Sequence, residues 1–62
     1  MTPAERAQDA VKRLRAADYP LPAIAAAGGV SLRTVYRWAR GEHSPQRSSA
    51  LLALERLVAA SS

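Results

Sequence analysis

Arg33, Arg37 and Arg40 carry the chemistry of this chain, spaced four and then three residues apart. On a helix of about 3.6 residues per turn they fall within roughly 60° of arc, so three guanidinium groups form one stripe. Thr34 and Tyr36 flank it on either side. From Tyr19 to Gly41 the sequence has no Asp or Glu to neutralise it. Like charges at these spacings cost about a few tenths of a kcal/mol per pair on an isolated helix. A bound polyanion offsets that cost. The planar fork of arginine can bond guanine O6 and N7 together, or clasp a phosphate. Taken alone, the stripe also fits an ordinary solvated face.

Other chemistries lack their parts. The chain has no cysteine, so neither a disulfide nor a thiolate zinc site is open to it. His43 is a lone loop histidine with no second ligand or nucleophile spaced to help it. No paired carboxylates stand out. The expectation is a binding protein and not an enzyme, with no metal, no cofactor and no small-molecule ligand. The net charge is +4 and the isoelectric point about 10.8, which suits nucleic acid or an acidic surface. The longest apolar run, Leu21–Ala27, is short and interrupted by Pro22. It is neither a membrane span nor a signal peptide, so the expected location is the cytoplasm.

The elements that position the stripe can be read from punctuation and periodicity. Residues 1–62 make a single domain. A chain this short buries only about 60% of its unfolded surface, and its core rarely supplies more than roughly 3–5 kcal/mol. Of the 48% hydrophobic residues, 14 are alanine, which favours helix but fills little volume. A first helix is expected from about Thr2 to Ala17. Thr2 serves as N-cap, Pro3 opens the first turn, and Glu5 completes a capping box. Ala7, Ala10, Val11, Leu14 and Ala17 share its apolar face, while Lys12, Arg13 and Arg15 lie off it as solvent-facing residues with at most a minor phosphate role. Tyr19-Pro20-Leu21-Pro22 breaks the chain. A short second helix follows, Leu21 to Ala27, ended by Gly28-Gly29. Ser31 caps a third helix that stops near Arg40, before Gly41. A fourth runs from about Pro45 or Gln46 to Ala59. The fold class is therefore all-α: a compact domain of four helices, or five, containing a helix-turn-helix at about residues 21–40.

In the third helix Val35 and Trp38 lie opposite the arginines, with Leu32 and Ala39 on the same broad side. That phase makes Trp38 a core residue and not a stacking platform for single strands. Tyr36 stays open between a DNA contact and a surface aromatic packed on a neighbour. An α-helix fits the major groove, and its N-terminus offers free N–H groups to a phosphate.

Ile24-Ala25, Gly29-Val30-Ser31, Val35, Trp38 and Gly41, with Pro45 and a leucine-rich helix after them, resemble the helix-turn-helix of lambda-repressor/Cro-type (XRE-like) regulators. The resemblance covers about Tyr19 to Val58. It implies base contacts from Leu32, Arg33 and Arg37, and phosphate contacts from Ser31, Arg40, His43, Ser44 and Arg47. It also implies duplex DNA as partner, a phage or mobile-element setting, and pairing on two-fold sites. Two positions depart from the family: Leu21 stands where a polar residue is common, and Glu42 opens a loop that is often basic. Gly28 replaces an apolar residue, which predicts fraying at the end of the second helix.

In the fourth helix Leu51, Leu54, Leu57 and Val58 should face the core. Leu52, with Ala59 one heptad later, points the other way and is the candidate homodimer contact. The function expected is a sequence-specific transcriptional regulator, most simply a repressor acting by promoter occupancy. The alternatives are a protein-interaction module, antitoxin or anti-repressor-like, on the same scaffold, and RNA binding.

Overall fold

The structure, a computed structural model, describes residues 2–42 and 48–61. Among these residues it holds four helices: α1 Pro3–Ala16, α2 Leu21–Gly28, α3 Leu32–Ala39 and α4 Ser48–Ser61. The expected all-α architecture is what the described residues form. The stretch in which the fourth helix was expected to begin, from Pro45, lies outside them.

Local chemistry sets the helix starts. Thr2 Oγ1 accepts from the Glu5 backbone N–H at 3.2 Å, and the Thr2 N–H donates back to the Glu5 carboxylate at 3.2 Å. This reciprocal box satisfies two donors that the first turn leaves free. Pro20, held at φ −69°, precedes α2 and leads in the extended chain that a helix N-terminus needs.

The three described helix ends share one device. Tyr19 N–H donates to Leu14 O at 3.0 Å and Asp18 N–H to Arg15 O at 3.0 Å. Val30 to Ala25 and Gly29 to Ala26 repeat the pattern at 3.0 and 3.2 Å, and Glu42 to Arg37 and Gly41 to Trp38 at 3.1 and 3.0 Å. Each is a Schellman motif, which needs one residue in the left-handed region. Gly29 (φ 66°) and Gly41 (φ 73°) fill that position, as their sequence context predicts. After α1 it is Asp18, at φ 70°. Asp tolerates this region better than most side chains.

Packing places α1 and α2 in the middle. Each contacts both α3 and α4, while α3 and α4 do not meet among the described residues. The core consists of Ala7, Ala10, Val11 and Leu14 from α1, Ile24 and Ala25 from α2, Val35 and Trp38 from α3, and Ala50, Leu51 and Leu54 from α4. Leu57 and Val58 are half-buried against it. Ala17 departs from its expected place: it caps α1 where the chain turns away, and is exposed. Gly28 is not frayed but is the last helical residue of α2, with Leu54 Cδ2 3.5 Å from where a Cβ would stand. The neighbouring helix holds it in place of local propensity. Arg6 on α1 bonds both carboxylate oxygens of Glu55 on α4, its Nε at 3.2 Å. That hydrogen bond first, and the Glu55 charge second, push the Arg6 guanidinium further above its ordinary value.

Candidate nucleic-acid interface

The third helix begins at a strong stop in the chain. Gly29 turns the backbone left-handed, Val30 packs half-buried on the core, and Ser31 resumes an extended conformation (φ −75°, ψ 157°) as N-cap. Ser31 Oγ accepts the Thr34 backbone N–H at 3.2 Å and lies 2.9 Å from Thr34 Oγ1. The α2–turn–α3 unit is thus fixed at its corner by a glycine, a half-buried valine and a capping hydroxyl.

Two side chains anchor α3 from below. Val35 is fully buried and Trp38 only 2% exposed. The Trp38 indole N–H is buried without a hydrogen-bond partner among the described residues, and the ring packs in the core. With this back face seated, Arg33, Arg37 and Arg40 are all exposed. None makes an ion pair among the described residues, where only Arg6 and Arg13 find carboxylates. The stripe inferred from spacing is therefore an outward, unneutralised surface of positive charge.

The remaining candidates fall around it. Leu32 is 38% exposed and Tyr36 50%, so both offer apolar surface beside the arginines. Thr34 is half-buried, its hydroxyl engaged with Ser31 at the helix start. Ser31 is exposed while it caps. His43, Ser44 and Arg47 lie outside the described residues. Leu52, 47% exposed, and Ala59, also exposed, are on α4, whose backbone does not approach that of α3 among the described residues.

One positioning residue escaped the sequence. Gln8 on α1 donates from Nε2 to Ala39 O at 3.2 Å, satisfying a carbonyl in the last turn of α3. Its amide also lies against Gly41, with Oε1 3.0 Å from where a Cβ would be. Gly41 thus answers two demands, a left-handed φ and the close approach of Gln8. The signal was out of reach because 31 residues separate Gln8 from its partner.

Among the described residues no three His, Cys, Asp or Glu side chains gather as a metal site. No helix among them is long and apolar enough to cross a membrane.

Residues 1–45 match the family described as a homeodomain-like domain. The match spans α1, α2 and α3 and stops short of α4. No curated protein and no solved structure matches the chain.

Proposed function

We propose a sequence-specific regulator of transcription: the chain belongs to the homeodomain-like family of helix-turn-helix DNA-binding domains, and α3 carries the surface needed to read duplex DNA. One observation supports this above the rest. Arg33, Arg37 and Arg40 stand exposed, with no ion pair among the described residues, on a helix whose opposite face, Val35 and Trp38, is locked in the core. A rigid helix presenting arginines is what direct readout in the major groove requires.

In this reading Arg33 and Arg37, with Leu32 beside them, contact base edges. Ser31 and Arg40 hold phosphates at the two ends of the helix, joined by His43, Ser44 and Arg47 from the loop. Thr34 and Tyr36 border the contact. The finer assignment is a Cro-like repressor that blocks a promoter by occupancy, pairing as a homodimer on a two-fold site. It rests on the turn residues Ala25, Gly29, Val30 and Ser31, and on the half-exposed Leu52 of α4.

Selection of bound molecules from a random duplex pool tests the function. The expected result is enrichment of one motif, palindromic with half-sites about 34 Å apart if the protein pairs on DNA. Binding should weaken steeply as salt rises. An unenriched pool together with salt-insensitive binding to a protein partner would overturn the proposal in favour of an interaction module.

A further inference from the structure

The basic residues of α1 divide into two sets. Arg6 is tied to Glu55 of α4, and Arg13 to Asp9 at 2.8 Å. Lys12 and Arg15 are exposed and make no ion pair among the described residues. Both line an open cleft of about 810 Å³ along α1, beside Glu5, Gln8 and Asp9 of the same helix, with Ala39 of α3 facing them. Gln8, Lys12 and Arg15 follow at i, i+4 and i+7, so they share one stripe of α1. Of its two acids, Asp9 is paired with Arg13, and Glu5 accepts the Thr2 N–H about two turns from Lys12. Across the cleft, Ala39 is the lining residue of α3. Round the helix from Ala39 come Tyr36, about 60° away, and then Arg40, about 100° away. Both are exposed. The unpaired cations of α1 therefore continue the basic surface of α3 over the lip of the cleft, and the Gln8–Ala39 bond fixes the spacing of the two helices.

We propose that Lys12 and Arg15 hold backbone phosphates of the duplex just beyond the segment faced by α3, so that α1 widens the footprint without reading sequence. This rests on α3 being the DNA-reading helix. A lysine supplies a point charge and an arginine a fork, and either suffices for a phosphate, which carries no base information. Arg13 has no part in it, because it lies on the α4 side of α1, with Glu55 and Val58 beside it.

The test measures the salt dependence of binding to a selected duplex for the full chain and for Lys12→Ala, Arg15→Ala, the double variant and Arg56→Ala. Arg56 is exposed on α4, remote from α3, and controls for the simple loss of a charge. Each phosphate contact contributes about 0.9 to the slope of log affinity against log salt. Each single α1 variant should lower the slope by about that much and the double by about 1.8. Between 50 and 200 mM salt the unaltered chain should then lose about tenfold more affinity than the double variant. The selected motif should stay the same, and Arg56→Ala should leave the slope unchanged. Circular dichroism checks that the variants fold. If the unaltered chain binds a selected duplex while the double variant keeps its slope, or if Arg56→Ala loses as much, the role of α1 is overturned and the reading by α3 stands. If the unaltered chain binds no duplex even at the lower salt, that reading fails and this one with it.

Discussion

Arg33 and Arg40 differ in what surrounds them along α3, and so should their variants. Arg33 lies in the first turn, where side chains of a groove-seated helix reach base edges. Arg40 is the C-terminal cap residue. Replacing Arg33 or Arg37 with Ala should cost about 1–3 kcal/mol of binding to the selected site and relax preference at one position. Arg40→Ala should instead weaken all sequences alike and lower the salt slope by about one. Competition binding with single-base variants of the site separates the two patterns. The arginine stripe was legible in the sequence because it depends only on helical phase, which neighbours cannot alter. Gln8 was not, because its meaning lies in a carbonyl on another helix. Glycines divide in the same way. Gly28 has an ordinary helical φ and room for a methyl, its nearest would-be contact at 3.5 Å. Gly28→Ala should therefore stabilise the fold by about 0.4–1 kcal/mol, chiefly by restricting the unfolded chain. Gly41→Ala should destabilise it by about 1–2 kcal/mol, because φ is 73°, with the Gln8 amide shifting to make room. Thermal melts of the pair read the opposite signs directly.

Helix α3 has only eight residues, too few to be stable alone, since isolated helices below about 12–15 residues are marginal. Its ends must be made by the rest of the protein. Ser31 supplies the start and the Gly41 turn supplies the stop, with Val35 and Trp38 between them giving the tertiary packing. Ser31→Ala removes the acceptor for the Thr34 N–H and should cost about 1 kcal/mol of stability. Ser31→Asp keeps an acceptor, so it should retain most of the fold while placing a negative charge where a phosphate is proposed to sit. Unfolding by urea and binding to duplex measure the two effects on the same pair of variants. A Ser31→Asp protein that folds well and binds undiminished would remove Ser31 from the phosphate contacts. The element boundaries at Thr2, Gly29, Ser31 and Gly41 were readable because each residue acts within a few positions of itself. The end of α1 was harder. Asp18 carries no glycine signal, yet takes φ 70° because Tyr19 and Asp18 both bond back into the last turn. Ala17 has the spacing of a core residue but sits on that turn, and so is exposed.

At the scale of the whole molecule, the paired cations and most of the unpaired ones lie on opposite sides of the α1–α2 layer. Arg6 and Arg13 on α1 are neutralised within the fold by Glu55 and Asp9, while the cations of α3 and of the cleft beside it make no ion pair among the described residues, nor does the isolated Arg56 of α4. Composition gave only the net sign of this arrangement; the sorting depends on which helix stacks on which. The family match ends at residue 45, yet the core does not. Leu54 on α4 is fully buried, in reach of Gly28 on α2, and Ala50 and Leu51 are buried with it. A small domain of this kind draws on roughly 3–5 kcal/mol of core stabilisation, and truncating a buried leucine to alanine costs about 2–5 kcal/mol. Leu54→Ala should therefore consume most of the stability, lower Tm sharply, and abolish DNA binding through unfolding and not through any contact. Leu52 lies two residues away but is 47% exposed. Leu52→Ala should leave the melt of dilute protein almost unchanged. If Leu52 packs against a second copy, the variant should also erase the dependence of Tm on protein concentration. Circular dichroism melts of both variants over a wide range of concentration, with ultracentrifugation alongside, put the two demands on α4 in one experiment. A Leu54→Ala protein that melts cooperatively near the original Tm would show that the Leu54 side chain is not what ties α4 to the core.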